Sequence, residues 1–223
     1  MTSNIFGRGF DSRRLHQNSQ QLQMIELGPA TEHQMVLAFL RAEIESPRFS
    51  QLYRQCLDQL QQFGVNRETL LDDPDLASSR DNSLRIKILG AVRGYRGNTL
   101  LFTGFPTDVV WRRVAIEHVD WIRVKYANYS TWNDLSGGTR FVTHGANNIA
   151  SAAEDVNKNV AGLIADLKKG RRYPELIGVA NECDEIILIE GHSRATAYAV
   201  AGLVEPIQAI IGSSANMNSW IFY

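Results

Sequence analysis

Two rhythms of apolar and polar residues run along this chain. From Thr31 to Pro47, "TEHQMVLAFLRAEIESP" places Val36, Phe39, Leu40 and Ile44 three or four residues apart, which predicts a helix with one apolar face. Thr31 and Gln34 have capping-box spacing at its start, and Pro47 helps to stop it. Phe49, Leu52, Tyr53, Cys56, Leu57, Leu60 and Phe63 keep the same spacing and predict a second helix that closes at Gly64 and pairs antiparallel with the first. Cys56 falls on the apolar stripe and reads as packing. "NRETLLDDPDL" reads as a short helix and a turn. "SSRDNSLRIKILGAVRGYRG" reads as a third helix, with Leu84, Ile88, Leu89 and Val92 inward and Gly94 near its end.

The pattern then shortens. "TLLFTGF" predicts a strand. "PTDVVWRRVAIEHV" is ambiguous: Pro106 suits a first helical turn, and Trp111, Val114 and His118 have helical spacing. "WIRVKYANYS" alternates like a strand. Residues 149–169 read as a helix ending at Gly170. "ELIGVA" and "EIILIE" read as short buried strands flanking the turn "NECD", residues 193–202 as a helix, and "PIQAIIG" as a further strand. The tail "SSANMNSWIFY" ends in large apolar residues expected to dock. The fold class is therefore α+β, with an N-terminal arm and helical region over residues 1–97 and an α+β domain over residues 98–223.

Composition narrows the classes. At 223 residues and 44% hydrophobic, the chain can bury an ordinary core, and its net charge of −1 argues against a generic polyanion binder. Residues 80–125 nevertheless carry nine Lys/Arg against four Asp/Glu, so the middle is where phosphate or nucleic-acid contacts are expected. The N-terminal stretch "MTSNIFGRGFDSRRLHQNSQQLQ" is polar and lacks an apolar signal core, and no apolar run approaches the ~20 residues of a membrane helix. Two cysteines, Cys56 and Cys183, stand far apart and match no metal spacing. His16, His33, His118 and His144 make no ligand pattern with them, which argues against zinc. A cytoplasmic protein with free thiols is expected, with no membrane partner.

One junction carries more chemistry than its neighbours. In "ILIEGHSRATAYAVAG" a buried strand stops at Gly191, shows His192, Ser193 and Arg194, and turns into a helix. The first N–H groups of a helix have no internal partner, and the helix dipole adds about half a positive charge there. Gly191 permits a tight turn, Ser193 a cap or a hydrogen bond, and Arg194 a planar fork of donors suited to phosphate. Ala195, Ala197 and Ala199 allow close helix packing. The junction reads as a phosphate seat or as an ordinary strand–helix turn. "STWNDLSGGTR" reads as a second such loop, in which Ser136, Gly137, Gly138, Thr139 and Arg140 are placed to nest an anion. Asn133 and Asp134 making turn bonds is the alternative.

"LIGVANECDEIILIEGHSRATAYAVAGLVEPIQAIIG" resembles the core of the ParB/sulfiredoxin-like superfamily: strand, turn, a second strand ending in G-x-x-R, an Ala-containing helix and a return strand. The upstream piece "GLIADLKKGRRYPELIGV" resembles the helix that precedes this core, and the likeness covers roughly residues 140–212. It implies that nucleotide phosphates sit on residues 191–194, with Arg140 lending a further arginine. The chain also departs from two branches. His192 stands where sulfiredoxins have a cysteine, and Ser193 replaces the first arginine of partition proteins, whose DNA-binding helices have no counterpart after the core. The small-molecule kinase branch conflicts least with these residues.

The expectation is thus an NTP phosphate-binding protein, an ATP-dependent phosphotransferase or nucleotidase with Mg²⁺ and a small-molecule acceptor. Asp134, Glu190 and His192 are its catalytic candidates, as base, metal ligand or proton shuttle. A non-catalytic nucleotide sensor or DNA-associated regulator is the alternative. "VRGYRGN" and "WRR" mix basic and aromatic residues as nucleic-acid binders do. A nuclease would need an acidic metal cluster, which the sequence does not present.

Overall fold

A computed structural model describes residues 24–180, 185–203 and 205–223. The polar arm, His16, Cys183 and the "NECD" turn lie outside the described residues. Among those described, six strands form one mixed sheet: β1 (Ile25–Ala30), β2 (Val110–Ile116), β3 (Val124–Lys125), β4 (Leu176–Ala180), β5 (Ile186–Glu190) and β6 (Ile207–Ser213), in the order β1-β2-β6-β4-β5-β3. β6 and β4 run parallel, as do β3 and β5, and the other neighbours are antiparallel. With its helices this is an α+β fold.

Strand periodicity sorts the core into two layers. Trp111, Ile177, Val179, Ile187, Ile189 and Ile210 face one side, where α1 (Glu32–Glu43), α2 (Ser50–Gln61) and α3 (Ser79–Arg93) pack. Val114, Leu176, Ile186, Leu188, Ala209 and Ile211 face the other. That side is covered by α4 (Ser130–Leu135), α5 (Val142–Asn147) and α7 (His192–Ala201), with α6 (Glu154–Lys168) packed on α7. The helices of the first 97 residues therefore share a core with the sheet, and β1 joins it directly.

α1 forms as its sequence requires. Thr31 Oγ1 accepts from the Gln34 N–H at 3.2 Å, Gln34 Oε1 accepts from the Thr31 N–H at 2.9 Å, and Val36, Phe39, Leu40 and Ile44 are buried. α3 ends at Gly94 with φ +82°, and its Leu89 is fully buried. Leu52 and Phe63 of the second apolar stripe are instead exposed.

Three segments differ from expectation. "TLLFTGF" is no strand: Leu100–Phe102 is a 3₁₀ turn, because Arg96, Asn98 and Leu100 take positive φ and Thr99 C=O accepts from the Phe102 N–H. The ambiguous segment is β2, which lays seven successive residues along β6. "WIRVKYANYS" keeps only two strand residues, because His118–Arg123 coils into 3₁₀ turns first. β1 itself is unforeseen, since Gly28 and Pro29 argue against a strand. An edge position tolerates both: Gly28 sits at a bulge with φ +128°, and Pro29 needs no outward N–H bond. The tail docks as expected: Trp220 is buried, and its Nε1–H donates to Leu101 C=O at 2.7 Å. No helix of the described residues is long and apolar enough to cross a membrane.

Candidate functional site

β5 delivers Glu190 to the edge of the core, and the chain turns at Gly191 with φ +99°. A Cβ there would also press on the Leu176 Cδ2 methyl, the end of a flexible side chain, so it is the backbone conformation that calls for glycine. Ala195, Thr196 and Ala197 are buried as α7 seats against α5 and α6. Thr196 Oγ1 donates to His192 C=O at 2.8 Å and lies 2.7 Å from the Tyr126 hydroxyl, which fixes the first turn.

His192 is packed in rings. Tyr126 and Trp132 stack on it with centroids at 5.9 and 5.5 Å, and Tyr129 meets it edge-on at 5.8 Å. Its Nε2 accepts from the Ala127 N–H at 3.2 Å, so the neutral ring carries its proton on Nδ1. Burial, reinforced by the charges of Arg93, Arg48, Arg140 and Arg194, pushes its pKa down to about 3. A ring held neutral with Nε2 engaged does not shuttle protons near neutral pH. It has only an Nδ1–H to offer a ligand.

Arg194 is not an open fork. It is 7% exposed, and its guanidinium donates to Glu190 Oε2 and to Pro174 C=O. Glu190 is thereby ion-paired within its own junction. Ser193, half-buried in the first turn of α7, makes no side-chain cap.

The second loop closes a helix. Gly138 N–H donates to Asn133 C=O at 2.7 Å and Gly137 N–H to Asp134 C=O at 3.1 Å, the paired bonds that finish α4 with left-handed residues at φ +64° and +80°. These two N–H groups are spent on the helix end, on the backbone carbonyls of Asn133 and Asp134, while Asn133 Oδ1 has no partner among the described residues. Ser136 Oγ donates to Trp132 C=O and accepts from the Arg140 N–H, while Thr139 Oγ1 lies 2.7 Å from His144 Nδ1. Asp134 is exposed at the end of α4. Arg140 donates to Tyr126 C=O, Phe222 C=O and the Tyr223 oxygen, pinning the tail, and burial lowers its pKa. The two loops do meet: Arg140 and His192 hold opposite sides of the Tyr126–Ala127 peptide.

The helical layer contributes residues that sequence reasoning passed over. Glu43, 4% exposed, stands with Oε1 3.6 Å from Arg93 Nε. Arg93 lies 4.1 Å over the Phe49 ring, and the exposed Arg48 lies 5.4 Å from the same ring. Burial, and then the negative charge of Glu190, raises the Glu43 pKa to about 8 against the pull of Arg93, Arg48 and Arg194. Burial also drives the Tyr53 hydroxyl far above its ordinary value. The signal was in the helical period. Glu43 falls four after Phe39 and three after Leu40, and Arg93 four after Leu89, where the pattern demands apolar residues.

Among the described residues no three His, Cys, Asp or Glu side chains stand close enough to hold a metal ion. Mg²⁺ fits this site only as an ion carried in by phosphates, since Glu190 is already paired. Two clefts lie elsewhere: one of about 470 Å³ beside Leu57, Asp58 and Arg67, and one of about 130 Å³ beside Tyr95, Arg96 and Trp111. Neither is lined by Glu43, Glu190 or α7. Comparison with protein-family models, with curated proteins and with solved structures finds no match to this chain.

Proposed function

We propose that the protein binds a nucleotide through its phosphates at the β5–α7 junction and serves as an NTP-dependent phosphotransferase. The observation that carries this reading is the pairing of two guanidinium groups, Arg48 and Arg93, on the Phe49 ring in a chain whose net charge is −1, with Arg140 and Arg194 adding to the positive field that, after burial, lowers the His192 pKa. Arg194 and Arg140 are held by the protein's own oxygens and shape the field from behind. Arg48 and Arg93, both stacked on Phe49, are the guanidinium groups placed to touch a ligand. The start of α7 adds its dipole. Phosphoryl transfer suits such a place, because it asks for positioning and positive charge more than for covalent chemistry. Mg²⁺ entering with the phosphates would neutralise their charge further. The resemblance to the ParB/sulfiredoxin-like core supports the reading through Gly191 and Arg194.

A sensor that holds the nucleotide without turnover is the second reading. It is favoured by the engagement of Glu190 with Arg194 and of His192 Nε2 with Ala127, which leaves neither as a free base.

Titration calorimetry with ATP, CTP, GTP and pyrophosphate, with and without Mg²⁺, tests the binding. Arg48→Ala, an exposed change, is expected to weaken the preferred nucleotide at least tenfold, since charge-assisted hydrogen bonds contribute roughly 1.5–3 kcal/mol. Affinity unchanged in Arg48→Ala and in Arg93→Ala would overturn the assignment. Release of nucleoside diphosphate separates the two readings.

A further inference from the structure

The cleft of about 130 Å³ lies between the start of α1 and the segment that joins α3 to β2. Four rings wall it: Tyr95, Phe102, Phe105 and Trp111. They brace one another without a ligand. Tyr95 meets Phe102 edge-on at 4.7 Å, Phe102 meets Phe105 edge-on at 5.2 Å, and Phe105 lies near-parallel to Trp111 with centroids at 6.4 Å. Trp220 backs Phe105 edge-on at 5.6 Å. The volume is in the class of an apolar cavity of about 150 Å³, which admits one benzene ring.

Polar groups line the same cleft. Glu32 Oε1 accepts from the Tyr95 hydroxyl at 2.7 Å and from Arg96 Nε–H at 2.8 Å, and Oε2 accepts from Arg96 Nη2 at 2.7 Å. Most donors of the guanidinium stay open, and so does one acceptor position on Oε2. Asn98 Oδ1 accepts from the Gly104 N–H at 2.5 Å, which leaves the Asn98 amide nitrogen as a donor. Glu32 and Arg96 cancel each other's charge, so the cleft favours a neutral ligand over an ion.

The backbone adds a third observation. Among the described residues four non-glycine residues have positive φ, and three of them fall in this segment: Arg96 at +62°, Asn98 at +52° and Leu100 at +50°. Side chains rarely tolerate that conformation. Leu100 is 61% exposed, so packing of its own side chain does not enforce it. The turn is held by the Gly104–Asn98 bond and by the Phe102 N–H donating to Thr99 C=O. Strain of this kind persists where the surroundings impose it, and it gathers at ligand clamps.

We infer that this cleft binds one neutral six-membered heteroaromatic ring that carries both a donor and an acceptor on its edge, of the uracil or nicotinamide kind. The aromatic walls cover the ring, Glu32 Oε2 accepts from its N–H, and Arg96 and Asn98 donate to its carbonyl. Glu43, Glu190 and α7 do not line the cleft, so the inference goes beyond the phosphate reading and does not rest on it.

Uracil, cytosine and nicotinamide are the probes, each titrated into the isotope-labelled full chain and followed by NMR. At least one is expected to give saturable shifts of the Trp111 indole N–H and of amides in residues 95–111, with a Kd of about 1 mM or tighter. Toluene, which lacks the polar edge, and benzoate, which is charged, are each expected to bind roughly tenfold more weakly or worse. Thr107 stands exposed on the rim. Thr107→Trp puts a bulky ring across the mouth and is expected to weaken the best probe about tenfold or more at unchanged melting temperature. Absence of saturable shifts with all three probes, shifts that folded Thr107→Trp leaves intact, or toluene or benzoate binding as tightly as the best neutral probe overturns the assignment.

Discussion

His192 shows how environment sets the chemistry of a residue. Its type suggests a proton carrier at neutral pH. Three aromatic rings, four arginines in electrostatic range and one backbone N–H make it a fixed neutral ring. Its pKa lies near 3 in the folded chain against an ordinary 6.5. Below pH 6.5 the unfolded chain takes up a proton that the folded chain refuses, so stability falls as pH drops through 6.5 toward 3 and is unaffected above 6.5. The slope is at most about 1.4 kcal/mol per pH unit. Urea denaturation at pH 7 and pH 5 should therefore show wild type losing up to about 2 kcal/mol more than His192→Gln between the two conditions. Equal losses would show that the ring protonates freely in the fold.

At the scale of an element, the strand–helix junction was legible and its partners were not. Gly191, the helix start and a nearby Arg140 could be read from residue type and order, as could the capping box of α1. That Arg194 would turn back onto Glu190 and Pro174 could not, because an arginine after a glycine fits a ligand and an internal carboxylate equally well. Ser136–Arg140 reads two ways for a related reason: adjacent glycines that suit an anion nest also suit a left-handed helix end, and the bonds from Gly137 and Gly138 to Asp134 and Asn133 appear only in the fold. Arg194→Ala accordingly acts first on folding. It strips the partner from Glu190, whose side chain is 15% exposed, and is expected to cost about 3 kcal/mol of stability in chemical denaturation. Adding Glu190→Gln to it should restore part of that loss, and a double variant no better than the single one would show that the ion pair is not the cause.

Over the whole molecule, the sheet carries two helical layers, and the candidate site lies where the first layer meets the start of α7 in the second. Reading the candidate site from the C-terminal core alone passes over the charged groups of the helical region, Glu43 with Arg93 and the nearby Arg48. No local pattern could have announced that meeting. It depends on β4 and β5 lying centrally, while α1 packs on β4 and α7 leaves from β5. The tail is a separate brace, with Trp220 on Leu101 and Phe222 C=O accepting from the Asn128 N–H at 3.0 Å. Trp220→Phe leaves the Leu101 carbonyl without its donor and should lower stability by about 1–3 kcal/mol, measured by thermal denaturation, while nucleotide affinity stays at the wild-type value. A drop in nucleotide affinity at unchanged stability would make the tail part of the site.

Among the described residues, β1 is one margin of the sheet. Ile25 and Leu27 are exposed on that strand, and a straight apolar edge would invite another chain to continue the sheet. The bulge at Gly28 bends the edge, and Pro29 removes one of the N–H groups a newcomer would need. The same two residues that made β1 hard to recognise as a strand also make it a poor template for another chain to extend the sheet.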